Sequence, residues 1–362
     1  MSDSRKPQLD TIRALAVLLV LYQHTMRPQA LLTGDAGAIG VQLFFVLSGF
    51  LITGILLDAR SDAAAVKAPL SGVLGRFYIR RFLRIFPLYY ALIAVAWILG
   101  EPGVRQYVLW LATYSTNFLM ASVGGNIGMP TPFWSLAVEE QFYLFWPFVA
   151  LFVPLRRLPW VLVGMICLSV GSRFLIALSG VPGHTITMPT WSALDGLAIG
   201  GLLAVALRSS FDPTVVLRWA AGAGVLLLFM RLGLISIQRF RPIQMALWMF
   251  PWGLIAAWLV HAGAKGKLPA AFNFRPLAWV GVVSYGVYVY HRPMMSVLNI
   301  GIRRGWEVFG LITAVTVIVA SVSWIVFERP INNQKSRWPY VPGARNRTQP
   351  ASTGPLEQSP PA

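Results

Sequence analysis

Residues 40–57 read GVQLFFVLSGFLITGILL, eighteen residues without a charged group. A helix rises about 1.5 Å per residue, so this run covers roughly 27 Å, close to the ~30 Å hydrocarbon core of a bilayer. The stretch therefore predicts a membrane-spanning helix, placed near 38–57. The rest of the chain agrees: of 362 residues, 56% are hydrophobic and 12% charged. Soluble domains average about 25% charged residues. The predicted fold is all-α, a polytopic membrane helix bundle with about ten transmembrane helices. Spans are expected near 9–25, 38–57, 81–99, 139–155, 159–178, 192–207, 217–236, 244–262, 277–298 and 308–327.

The N-terminus has Arg5 and Lys6 before an apolar stretch around Ala14–Tyr22, as a signal peptide would. Asp10 and Arg13 interrupt that stretch, and Arg27-Pro28 stands where small residues would mark cleavage. A retained first span is expected. The segment 104–120 is short and polar in its second half, from Thr113 to Asn117. The net charge of +17 decides how it is read. If 104–120 does not span and the N-terminus is cytoplasmic, most Lys and Arg residues fall on the cytoplasmic side, as the positive-inside rule requires. Arg76, Arg80, Arg81, Arg84, Arg156 and Arg157 are among them. If it does span, everything after it inverts and more than half of the cytoplasmic Lys and Arg residues, Arg156 and Arg157 included, move outside. Ten spans with both termini cytoplasmic follow. The same placement of basic residues between apolar runs argues against nucleic-acid binding.

The single cysteine, Cys167, lies in an apolar run and forms no intrachain disulfide. From about residue 339 the chain is rich in Pro, Ser, Gln and Asn. A membrane domain over 1–338 and a disordered cytoplasmic tail over 339–362 are expected. No internal repeat is visible, so an inverted-repeat transporter gains no support.

Ionisable residues inside a span are costly, and they mark functional sites by default. The first span carries Asp10, Arg13 and His24. Arg13 and His24 are eleven residues apart, which is three turns plus about 20°, so they share a helix face about 16 Å apart along the axis. Asp10 and Arg13, at i and i+3, can pair. In RFYIRRFLRIFPLYY (76–90), four arginines fall within nine residues. A positive-inside flank accounts for one or two of them. A guanidinium cluster suits a multiply charged phosphate ligand through bidentate bonds. In PFWSLAVEEQFYLFWP (132–147), Glu139 and Glu140 are expected to open the fourth span from outside, which places a carboxylate near the depth of His24. Two acids at a helix N-terminus also suit its dipole, and Glu140 can have that role alone. In SYGVYVYHRP (284–293), His291 falls in the outer half of the ninth span. Asp195, in WSALDGLAIGG (191–201), is a further buried acid without an assigned role.

Together these motifs resemble the acyltransferase family 3 membrane proteins, which O-acylate bacterial surface glycans and some macrolides. The resemblance rests on Leu9-Asp10 with Arg13 and His24, GVQLFFVLSGFLITGILL, RRFLRIFPLYY, FWSLAVEEQFYLFWP and SYGVYVYHRP. They occur in the family's order over about residues 8–330. Where the family usually has an aromatic after the last histidine, this chain has Arg292. The resemblance implies a multi-pass protein of the bacterial inner (cytoplasmic) membrane. It implies acyl-CoA, with acetyl-CoA favoured, as a donor substrate from the cytoplasm and no permanently bound cofactor. The acceptor would be a glycan or glycoside hydroxyl at the outer side. The esterase-like domain fused to some members is not in this sequence, which suggests a partner protein or a small acceptor.

In this frame Arg13, Arg81 and Arg84 hold the donor phosphates. His24 is the general base toward the acceptor hydroxyl, because an imidazole titrates near neutral pH. Glu139 orients it, as a carboxylate does in a triad. Asp10, Arg80, Glu140, Ser284, Tyr285 and His291 are secondary candidates. Transfer is either direct or through an acyl-histidine. The expected partners are acyl-CoA, the acceptor and the lipid bilayer, and homo-oligomerisation is left open. The rival class is a transporter or flippase for a lipid-linked glycan, with the same charges lining a pathway.

Overall fold

The GVQLFFVLSGFLITGILL segment forms the middle of the most enclosed long helix in the protein, Ala36–Ala65. The structure, a computed structural model, describes residues 6–26, 35–234, 237–301 and 303–342. Among these every regular element is helical and no strand occurs. In chain order they are α1 (Pro7–Thr25), α2 (Ala36–Ala65), α3 (Leu70–Ile98), α4 (Pro102–Ala112), α5 (Thr116–Val123), α6 (Phe133–Phe152), α7 (Leu158–Leu178) and α8 (Gly183–Thr187). Then follow α9 (Leu194–Ala206), α10 (Thr214–Leu234), α11 (Arg241–Ala246), α12 (Phe250–Ala264), α13 (Arg275–Val282), α14 (Ser284–Val297), α15 (Trp306–Ser323) and α16 (Arg329–Asn333).

Among the described residues six helical stretches are long and apolar enough to cross a membrane: α2, α3, α7 with its preceding turn, α10, α11–α12 together, and α15 through to Arg337. The other expected spans correspond to α1, α6, α9 and α13–α14. Two of these, α1 and α6, have 19 and 20 residues, but they carry the charged side chains that lower their hydropathy. Only 13 residues make up α9, and Val283 separates α13 from α14. The segment 104–120 breaks into α4 and α5 around Tyr114, whose φ is +50°. At 11 and 8 residues, each helix is too short to cross a ~30 Å core alone. Arg5, the Arg27-Pro28 pair and the tail beyond residue 342 lie outside the described residues.

Helix α2 packs against α1, α6, α9 and α12. It meets α9 at backbone distance: a Cβ on Gly49 would lie 1.9 Å from the Leu197 carbonyl oxygen, and one on Gly200 would lie 2.0 Å from that of Val46. Small residues permit such approach in a bundle where burial in lipid supplies little drive between helices. At the other side of α1, a Cβ on Gly281 of α13 would lie 1.8 Å from the Asp10 carbonyl oxygen.

Two boundaries differ from expectation and move the site. Helix α3 starts at Leu70, not near 81, so the four arginines lie within a 29-residue helix about 43 Å long, more than a core thickness. Helix α6 starts at Phe133, because Pro132 precedes an unbroken helical run. Glu139 is therefore about 9 Å inside the helix instead of at its mouth.

Candidate active site: a cationic cavity and a histidine pair

A cavity of about 230 Å³ lies between α1, α2, α3, α6 and α14. Its polar lining is Arg13 from α1, Ser48 from α2, Arg81 and Arg84 from α3, Ser135, Glu139, Glu140 and Tyr143 from α6, and Ser284, Tyr285 and Tyr288 from α14. Seven of the eleven sequence-derived candidates line it: Arg13, Arg81, Arg84, Glu139, Glu140, Ser284 and Tyr285, whereas His24, Asp10, Arg80 and His291 do not. The apolar remainder comes mainly from α2, including Phe44, Phe45 and Leu51.

Several of these groups are fixed by their neighbours. Arg13 donates to the Asp10 carboxylate one turn earlier, as the i, i+3 spacing anticipated. Ser48 Oγ donates to Glu139 Oε1 at 2.6 Å. Tyr285 Oη donates to the Ile85 carbonyl at 2.8 Å. Tyr288 Oη donates its one hydrogen to the Pro132 carbonyl at 2.6 Å, so Ser135 Oγ donates into the Tyr288 oxygen, also at 2.6 Å. Arg81 sits over the Phe77 and Tyr143 rings at 5.6 and 5.5 Å. Its Nε is buried without a hydrogen-bond partner. Neither Arg81 nor Arg84 is in an ion pair among the described residues. A buried guanidinium nitrogen without an acceptor is costly, and Arg81 lines the cavity with no ion pair to offset that cost.

Arg80 lines no part of the cavity. It donates to the carbonyls of Lys335 and Trp338, outside it.

His24 stands apart from Glu139. Its Nδ1 lies 3.1 Å from His291 Nε2, and the two rings stack with centroids 4.9 Å apart. The expected partner Glu139 is engaged instead with Ser48, because α6 begins six residues earlier than expected and carries Glu139 away from the end of α1. His291 Nδ1 is 2.6 Å from the Tyr288 carbonyl oxygen. A carbonyl only accepts, so this nitrogen carries the proton. With His291 neutral, its Nε2 accepts from His24 Nδ1–H, and His24 Nε2 keeps a free lone pair. The Tyr288 ring lies 5.8 Å from the His291 ring and 6.3 Å from Phe44. Tyr288 thus separates the histidine pair from the cavity and touches both.

Reading the sequence did not single out Ser48, Ser135, Tyr143 or Tyr288. Ser135 carried a usable signal: it precedes Glu139 by four residues and so shares its helix face. Asp195 acquires a partner, accepting from Arg173 Nη2 at 2.8 Å with both side chains at most 2% exposed. Arg173 also donates to Ser169 Oγ and to the carbonyls of Ser192 and Ala246. Arg292, which departs from the usual aromatic, donates to the Gly128 carbonyl and ties α14 to the loop before α6.

Fold and site define a helical membrane protein with an anion-seeking cavity beside a histidine pair. A family model described as an acyltransferase domain, acyltransferase family 3, matches residues 6–328, and the chain belongs to that family. It is 31% identical over 362 residues to the peptidoglycan O-acetyltransferase OatA of Listeria monocytogenes, a match covering 91% of this chain and 56% of that protein. It is 30% identical over 365 residues to YrhL of Bacillus subtilis, provisionally named for the same activity, covering 91% of this chain and 55% of that one. The chain thus spans about half the length of these curated relatives. No solved structure matches the chain significantly.

Proposed function

We propose that this protein is an acyl-CoA-dependent O-acyltransferase that moves an acyl group, acetyl by preference, to a hydroxyl of a cell-envelope glycan. The observation that carries this reading is the unpaired Arg81 and Arg84 at the cavity, with a buried Arg81 Nε that has no partner. They suit the diphosphate of CoA, and Arg13, held by Asp10, adds positive charge from α1. The pantetheine arm then runs along the cavity toward Ser135 and Tyr288, beyond which the histidine pair stands. His24 Nε2 acts as base toward the acceptor hydroxyl, His291 holds the ring in its tautomer, and Ser48–Glu139 lines the route of the donor. The names of the relatives favour a peptidoglycan hydroxyl as acceptor. The ten-span reading puts both termini in the cytoplasm and the acceptor side outside, in the cytoplasmic membrane of a bacterium.

The test is turnover by purified protein in lipid, with radiolabelled acetyl-CoA and peptidoglycan fragments. Label on the glycan and stoichiometric free CoA are expected. Movement of a lipid-linked glycan across the membrane without CoA consumption would favour a flippase and end the proposal.

A further inference from the structure

The far end of the helical chain folds back onto the arginine face of α3. After α16 a 3-10 turn, Gln334–Arg337, leads into a strap that reaches residue 342. Arg80 Nη1 donates to the carbonyls of Lys335 at 2.6 Å and Trp338 at 3.0 Å, and its guanidinium lies 4.7 Å from the Tyr340 ring centroid. Arg76 Nη1 donates to the Tyr340 carbonyl at 3.3 Å. Two of the four arginines are thereby committed to the strap.

In return the strap brings Lys335 to the cluster. Its side chain is half-buried, and its ammonium is within electrostatic reach of Arg80, Arg81 and Arg84. It donates to Asn332 Oδ1, which engages one of its three N–H groups. None of Arg80, Arg81, Arg84 and Lys335 is in an ion pair among the described residues. Arg81 and Arg84 also face the carboxylates of Glu139, Glu140 and Glu328, whereas the charges acting on Lys335 are the three arginines, and an anion bound beside it would offset that repulsion.

The order of these cations matters. Arg84, Arg80 and Arg76 follow one another by four residues, on one helix face with steps of about 6 Å. Arg84 lines the cavity, whereas the strap crosses α3 at Arg80, outside it. Acyl-CoA has a matching order of charge: a diphosphate next to the pantetheine arm and, farther from the thioester, a phosphate on the ribose 3′ oxygen. We propose that Lys335 holds the 3′-phosphate of the donor, so that the strap discriminates CoA from its 3′-dephospho form. This rests on the donor reading given above.

The experiment is equilibrium binding of CoA and 3′-dephospho-CoA to the purified full chain and to Lys335→Gln and Lys335→Arg. The wild-type protein is expected to prefer CoA by roughly tenfold or more, the scale of one charge-assisted bond. Lys335→Gln should bring the two ligands near parity by losing CoA affinity alone, and Lys335→Arg should keep the preference. A Lys335→Gln protein that keeps the full preference, or loses both ligands in proportion, overturns the proposal. A wild-type protein that binds both forms equally overturns it and leaves the donor reading standing. A wild-type protein that binds neither overturns both.

Discussion

His24 and His291, 267 positions apart in sequence, share one hydrogen bond, with Nδ1 of the first 3.1 Å from Nε2 of the second. The Tyr288 carbonyl sets the tautomer of His291, and His291 sets that of His24 together with the Val20 backbone, to which the His24 ring is also hydrogen-bonded. The order of dependence is Tyr288 backbone, His291, His24, and only His24 is left with a free nitrogen. His291 is thus a positioning residue in the proposed chemistry. His291→Ala should lower turnover while leaving CoA affinity intact. His291→Gln should retain more, because an amide oxygen can still accept from His24 Nδ1–H. Turnover of the two variants, compared at saturating donor, tests this: equal loss in both would deny the orienting role.

The donor end is tested by changing geometry without changing charge. Lysine keeps the cation but lacks the planar fork that grips a phosphate. Arg81→Lys and Arg84→Lys should each weaken CoA binding by roughly tenfold, as for loss of one charged hydrogen bond. Binding titrations on purified protein measure this. If the Arg81→Ala, Arg84→Ala double variant bound CoA like the wild type, the phosphates would have to lie elsewhere.

Stability should depend on a different pair. Arg173 and Asp195 are both sequestered, and the arginine's other bonds go to Ser169 and to carbonyls that carry no formal charge. Asp195→Asn leaves a buried cation without its counter-charge, a change that typically costs about 3–5 kcal/mol. Replacing both partners with apolar residues of similar volume should cost less than either single change. Thermal unfolding in one detergent, across the two single variants and the double, is the measurement. A Tm for Asp195→Asn equal to that of the wild type would contradict the assignment.

How far the sequence carried these conclusions differs from residue to residue. Helix α2 was legible because eighteen uncharged residues have few alternatives. The joint lining by Arg13, Arg81, Arg84 and Glu139 was legible in part, since a charge at membrane depth must face a polar interior. Asp195 announced that it needed a partner, but nothing near it in sequence points to Arg173. The His24–His291 bond was hidden for the same reason: helical periodicity fixes which face a side chain takes, not which distant helix covers that face. From sequence the fourth span opens at Glu139, level with His24, whereas the uncharged residues Phe133 to Val138 belong to the same helix.

That shift leads to a test of how the two ends of the site cooperate. His24→Ala should reduce turnover by about 10²–10⁴, the usual cost of losing a general base. Glu139→Gln should cost less, since Ser48 Oγ can still donate to the amide oxygen and the residue transfers no proton in the proposed chemistry. Groups that act as one unit give a double variant no worse than the more damaging single one, whereas groups acting separately multiply their losses. His24 and His291 are bonded, so the His24→Ala, His291→Ala protein should turn over about as slowly as His24→Ala alone. His24 and Glu139 have different partners, so their losses should multiply. Both cycles use the same single-turnover measurement with labelled acetyl-CoA, and CoA affinity serves as the check that each variant is folded. Saturation in the His24–Glu139 cycle would mean that the two residues meet during the reaction, by a rearrangement that breaks the Ser48 bond. Near-normal turnover in His24→Ala, with strong loss in Glu139→Gln, would move the base into the cavity itself.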